Sequence, residues 1–545
     1  MKSTALLLVV LMSPTFGLSQ HDHASGPDAG KPVLTPGLGN IHHKVSTANS
    51  EAQSFFDQGL AFIWAFNHDE AARSFKQAAE LDPQLAMANW GVALAIGPNY
   101  NMDVDPERER SADQAIQRAR QLESGATAGE RAYIEALSER FTSDPKANLK
   151  ALAVNYKNAM GEVVKSFPDD LDAATLYAES MMDLRPWHLW NADGQPAEGT
   201  LEIVRVLESV LARDAKHIGA NHFYIHAVEA SPHPERALQS AERLRTLAPA
   251  AGHLVHMPAH IYMRTGDYAS AVASNQQGAS ADQSYIKSGG GGMYALMYYS
   301  HNLHFLAIAA CMEGNYSEAR RAVDELDDNV RPHLRGSPVA DLFMATRPLV
   351  LVRFRRWDEI LKLPQTDKTG APFTDVFTHF ARGMAYAATN RLSDSRAERK
   401  VFLKAAKALS PFVSWGFSST QTLCEIAGDM LSARIAVSER DTTTAARLLT
   451  KAVELEDKLA YDEPPDWYVP VRESLGGVLY LNGKYAEAEA VFRADLDRHP
   501  RSGRSLYGLS QALRAQQKPT EAAEVETQFD AAWKKADIKL TMADL

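Results

Sequence analysis

Between residues 222 and 304 the chain concentrates side chains that bind metals. His222 and His226 stand four residues apart, as do His256 and His260, and the second pair follows the first by 34 residues. Residues at i and i+4 share one face of a helix, so each pair points one way. Glu229, three residues past His226, and His253, three before His256, belong to those faces, and His301 and His304 continue the row. Neutral imidazole is a ligand for zinc, copper or iron, and a helical histidine pair can share one ion. Packed helices lie ~8–10 Å apart, so imidazoles from two of them can meet. The favoured site takes His222 and His226 from one helix and His256 and His260 from the next, with Glu229, His253 or His301 as further ligands or supports. Its expected cofactor is one transition metal ion (zinc, copper or iron), with a coordination position left for water or substrate. A metal-free reading stands beside it: a histidine-lined groove that responds to protons or grips a peptide carboxylate.

Such a row needs regularly spaced helices. His256 lies ten residues before Gly266 of Thr265-Gly266-Asp267-Tyr268, and His304 lies ten before Gly314 of Glu313-Gly314-Asn315-Tyr316. Phe55, Gly59, Phe62, Ala71, Phe75, Ala78 and Pro83 form one copy of a related pattern, and Gly476, Gly483, Tyr485, Ala488, Phe492 and Pro500 form another. In these residues the chain resembles the tetratricopeptide repeat family, in its exported bacterial form, over nearly all of 51–533. The resemblance implies an all-α fold, an α-solenoid of tetratricopeptide-like helical hairpins whose first helices line a concave groove. It also implies a peptide, protein or small molecule as partner in that groove. By the same resemblance the histidine row faces the groove, and Glu179 and Asp183 fall on the corresponding face one repeat earlier. Long loops interrupt the period at 97–106, 184–199 and 288–292. They place Arg185, Trp187 and Tyr294, together with His304, among the expected ligand-binding residues. Trp64, Asn67, His68, Asn99, Tyr100 and Asn101 are weaker candidates for the groove end. Pro258, between His256 and His260, either kinks its helix or marks a later helix start.

The ends and the composition narrow the class. Lys2, the apolar run Ala5–Met12 and the small residues Gly17 and Ser19 read as a signal peptide over 1–19, so the protein is expected to be periplasmic or secreted. Residues 20–50, rich in Gly, Pro, His and Asp, read as a disordered leader. Residues 51–330 carry the histidine-lined solenoid, and 331–545 read as further repeats and a cap. The 545 residues carry a formal net charge of -11 without a long basic run, which argues against a nucleic-acid partner. No stretch is long enough to span a bilayer. Cys311 and Cys424, the only cysteines, read as small apolar residues rather than a disulfide framework. No phosphate-binding glycine loop, nucleophile elbow or HExxH motif is present. The expected function is an exported scaffold whose groove binds a ligand or peptide and a transition metal. The alternatives are a metal-dependent enzyme (a hydrolase or oxidase) at the same site, and a metal-free protein-interaction scaffold.

Overall fold

The structure is a computed structural model that describes residues 31–364, 370–410 and 414–545. The expected signal peptide and residues 20–30 of the expected leader lie outside the described residues. From Ser50 onward the chain is a succession of antiparallel helical hairpins, beginning with Ser50–Trp64 against His68–Leu81 and ending with Gly503–Ala515 against Pro519–Ala532. The repeat residues explain the packing. Phe75 is clasped between Gly59 and Gly91, and Phe492 between Gly476 and Gly508; a Cβ at any of the four glycines would run into the ring. In these two repeats one aromatic ring locks the helix before it to the helix after it. Several of the tight hairpin turns take a left-handed residue. Gly266, Gly314 and Gly483 supply it at φ 76°, 78° and 75°, where glycine is free of the Cβ clash.

The histidine-bearing helices are buried on every side. All eleven residues of Ile218–Val228 are buried, polar ones included. The later repeats close over the earlier ones. The Tyr268 hydroxyl donates to the Pro500 carbonyl at 3.0 Å, and the amides of Tyr316 and Ser317 donate to Asp537 at 2.7 and 2.8 Å. A buried ion pair joins Arg353 to Glu473. A large apolar core includes residues from Leu38 to Leu545, and a second, smaller cluster gathers Ala279, Tyr299, Leu303, Leu326, Val330 and Ala340.

Residues 31–49, read from sequence as part of a disordered leader, instead lie along the solenoid with Leu38 and Val45 buried. The Thr35 amide donates to Gln58 at 2.7 Å, and the Ala250 amide donates to the Gly37 carbonyl at 3.0 Å. The His43 Nδ1 lies 2.7 Å from Asp172, which also meets the His217 Nε2 at 3.1 Å. Composition argued for a solvated tail; long-range partners hold the segment down.

Burial opposes charge on His43, but the Asp172 carboxylate prevails and raises the imidazole above 6.5. Burial would likewise raise Asp172, yet His217 and His43 hold it below the usual carboxylate range. The raised histidine contributes stability that is complete below about 6.5 and lost as pH rises through its folded value; the depressed carboxylate contributes stability above about 3.9 that is lost toward acid. Amide-exchange protection of residues 31–49, corrected for intrinsic rates, should therefore peak near pH 5–6, fall above pH 7 and lose that fall in His43→Ala. A flat profile from pH 5 to 8 would refute this account.

Candidate metal centre

Three consecutive first helices of the hairpins supply the histidines: Ile218–Val228, the pair Gly252–His256 and Pro258–Thr265, and Ser300–Glu313. Pro258 starts the second piece of the middle helix, where its missing N–H is least harmful. Met257 keeps helical angles (φ -49°, ψ -35°), so the axis continues and His253, His256 and His260 stay on one face. A π-helical stretch, Ala295–Tyr299, leads into the third helix and sets the Tyr298 ring edge-on to His253 at 5.1 Å between centroids.

The six imidazoles gather into two groups of three, His222/His226/His253 and His256/His260/His301, each with ligand atoms within 4.8 Å of one another. The His222 Nε2 lies 3.2 Å from that of His253. The His256 Nε2 lies 3.0 Å from that of His260 and 3.2 Å from that of His301. Nitrogens bound to one tetrahedral ion at ~2.0–2.1 Å would stand roughly 3.3–3.4 Å apart. The observed spacings are close to that figure.

The outward nitrogens fix the tautomers. The His222 Nδ1 lies 2.7 Å from the Trp64 carbonyl, which can only accept, so this nitrogen carries the proton. The His226 and His260 Nδ1 atoms donate to the two oxygens of Glu229 at 2.7 and 2.6 Å. The His256 Nδ1 lies 2.6 Å from the Asn275 Oδ1; the Asn275 amide nitrogen is committed to the Ala271 carbonyl, so the oxygen faces the ring. In each of these four rings the Nε2 therefore presents a lone pair. The His256 and His260 lone pairs face one another, and the buried His226 Nε2 has no hydrogen-bond partner among the described residues. Burial, reinforced by neighbouring imidazoles, lowers His222, His253, His256 and His301 well below 6.5. Burial would raise Glu229, but His260 and His226 hold it below the carboxylate range. Imidazoles whose Nε2 atoms face inward, with one ionised carboxylate behind two of them, form a metal-ligand arrangement with its outer hydrogen bonds in place.

Aromatic rings enclose the cluster. Phe66 packs on His222 at 4.5 Å and on His253 at 5.4 Å. It holds the left-handed turn position of its hairpin, φ 55°, which other repeats fill with Gly266, Gly314 or Gly483 and also with Arg355, Asn390, Arg440 or Gln517. An aromatic residue there carries strain of order 1 kcal/mol or more, a feature often found at functional sites. Trp187, also left-handed at φ 62°, stacks on Tyr100 and meets His226 edge-on at 5.5 Å. A cavity of about 520 Å³ opens against His226, His253, His260 and His301. Phe417 and Met293 stand exposed among its lining residues, and Asp462 and Glu463 give it an acidic wall. Burial pushes the Glu463 carboxyl up to about 7.

The expected site is thus regrouped. His222 and His226 partner His253, while His256 and His260 partner His301, because the face of the middle helix points to both neighbours. Glu229 is a support, with both oxygens spent on Nδ1 atoms. The row is buried rather than exposed in an open groove, because loops and later repeats cover it. Of the residues expected to bind ligand, Trp187 and Tyr294 line the cavity, and Glu179, Asp183, Arg185 and His304 do not. Asp183 pairs with Arg140 at 3.0 Å, and the neighbouring Glu179 is buried. Arg185 reaches the exposed Glu198, and His304 turns its Nδ1 to Thr346 at 2.9 Å. The exposed His42 bonds Asp57 at 2.9 Å, so with His43 it secures the leader. Phe66, Asn275, Phe417, Asp462 and Glu463 were not read as site residues from sequence.

No protein-family model and no curated protein matches the chain. Among solved structures it is similar to the human IFIT1 dimer with m7Gppp-AAAA, at 13% identity and TM-score 0.32, covering 90% of this chain and 91% of that one. Yeast Tom70 gives 11% identity and TM-score 0.28, covering 88% and 93%. The P58(IPK) TPR domain gives 11% and 0.22, covering 86% and 98%. Overlaps this loose carry no argument about function. The chain's own hairpins define its class, a tetratricopeptide-like helical solenoid. Among the described residues no helix is long and apolar enough to cross a membrane.

Replacing Glu229 by Ala strands two buried imidazole N–H groups. At about 1–3 kcal/mol for each unmet donor, Glu229→Ala should lower unfolding free energy by about 2–6 kcal/mol in urea titrations, and Glu229→Gln by less. A loss under about 0.5 kcal/mol for the Ala variant would contradict the support role.

Proposed function

We propose that the histidine row holds transition metal in this solenoid and that the protein is a metal-dependent enzyme, a hydrolase or oxidase, acting on a small molecule in the adjoining cavity. The observation that carries the reading is the His256–His260 pair, whose two Nε2 lone pairs face each other at 3.0 Å with both Nδ1 protons committed elsewhere. Two buried lone pairs in that position repel unless a cation lies between them. Three protein nitrogens per group leave a coordination position for water or substrate, as catalytic sites require. A bound ion there would activate water or exchange electrons with the substrate, according to its identity. The cavity favours a small molecule over a peptide, since the histidines are buried and an extended chain needs an open groove. The metal-free interaction scaffold remains the alternative, favoured by the repeat architecture alone.

Elemental analysis of untagged protein, purified without chelator, should find transition metal in the wild type and little in His226→Ala/His260→Ala. Absence of metal from both, even after reconstitution, would reject the metalloprotein reading. The segment Lys2 to Ser19 supports export to the periplasm or beyond. Mass spectrometry of protein recovered from outside the cytoplasm should then give a mature chain beginning at Gln20; an uncleaved chain confined to the cytoplasm would reject export.

A further inference from the structure

We propose that the centre is dinuclear: two copper ions side by side, one in each histidine triad, both facing the same cavity. This rests on the metal reading above and extends it in number and identity of ions.

The first argument is the repeat itself. Each triad takes two histidines four residues apart from one hairpin helix and a third from the next. His222 and His226 are completed by His253; His256 and His260 are completed by His301. The first pair maps onto the second by a shift of 34 residues. The completing histidines are 48 residues apart, because the long helix Tyr268–Lys287 and the glycine and π-helical segments after it lengthen that repeat. The solenoid has therefore built one three-nitrogen site twice, in adjacent turns. The middle helix serves both, giving His253 to one and His256 and His260 to the other.

The second argument is ligand number. A tetrahedral ion takes four ligands, and six inward imidazoles exceed what one such ion can use. Their close Nε2 contacts lie within the triads, His222 to His253 and His256 to both His260 and His301. Between triads only the rings touch, with centroids 5.6 Å apart for His226 and His260 and 5.8 Å for His253 and His256.

The third is charge. Two adjacent cations in a buried site repel, and six neutral ligands do nothing to offset this. Glu229 stands where compensation is needed. One oxygen bonds His226 of the first triad and the other bonds His260 of the second. The Tyr461 hydroxyl holds the second oxygen at 3.2 Å and also reaches Glu463. One carboxylate thus steadies both sites.

The donor set selects the metal. All six ligands are imidazole nitrogens, without the carboxylate of the two-histidine iron triad and without thiolate. Among divalent ions copper binds nitrogen sites most tightly. His226 and His253 of one triad and His260 and His301 of the other all line the cavity, so one small ligand can meet both ions.

The test is copper stoichiometry of the full chain, with His21, His23 and His42 replaced by Ala to remove leader histidines outside the centre. After copper loading and desalting against a moderate chelator, the chain should retain two copper ions. His222→Ala and His301→Gln, each altering one triad, should retain one. In the oxidised form, the electron paramagnetic resonance signal of the parent should be broadened or fall short of its copper content. Each single-triad variant should give one sharp spin per chain. One copper in the parent, with none in either variant, would overturn the dinuclear proposal and leave a single site. Two sharp, independent spins would overturn the adjacency. No retained copper or other transition metal would reject the metal reading as well. Should a variant fail to fold by circular dichroism, the parent's count and spin decide the matter alone.

Discussion

The carboxylate of Glu229 is the interaction on which the centre depends. A buried ionised group is tolerable only when its oxygens are fully engaged. Here two imidazole N–H groups and a tyrosine hydroxyl engage them. The requirement runs both ways. Because His226 and His260 give their Nδ1 protons to Glu229, their Nε2 atoms must present lone pairs inward. A helix backbone carbonyl at Trp64 and a side-chain amide at Asn275 impose the same choice on His222 and His256. Three separate groups, Glu229, Trp64 and Asn275, thereby orient four rings, and these four turn acceptors inward. An acceptor-lined pocket buried in a protein calls for a cation.

The solenoid supplies the precision. Hairpins locked by Phe75 and Phe492 between glycines set the phase of one repeat against the next. A histidine pair copied at the repeat distance consequently returns in equivalent surroundings. Ordinary repeats leave the first-helix face open. Here the long joints bring Tyr100, Trp187 and Tyr298 over the histidines, while the chain from 414 to 463 adds Phe417, Asp462 and Glu463. The covering changes the chemistry from that of a wet groove to that of an enclosed chamber. Burial disfavours charge on His222, His226, His253, His256 and His301 and lets Glu463 hold its proton more tightly. The left-handed Phe66 and Trp187 show where backbone freedom was given up to set rings against the first triad.

Much of this was legible in the residue order. Spacings of 34, 10 and 4 residues are local facts about helices, and local helical geometry preserves them. They determined the all-α hairpin solenoid and the histidine row, with Glu229 as a ligand or support. They could not determine the grouping. Whether His253 turns to His222 or joins His256 depends on how neighbouring helices are rotated, and that follows from packing across repeats. Nor could they place Glu179, Asp183, Arg185 and His304: Glu179 is buried away from the cavity, and the other three pair with Arg140, Glu198 and Thr346. Residues 31–49 had the composition of a free tail, yet Asp172 and Gln58 hold them in place. Asn275, Phe417, Asp462 and Glu463 were illegible because sequence distance says nothing about which late segment folds over an early one. The sequence by itself determined which chemistry was available and its repeat along the chain; only the tertiary structure decided that the histidines are enclosed and drawn into two groups about Glu229, because burial and long-range contact are properties of the packed chain.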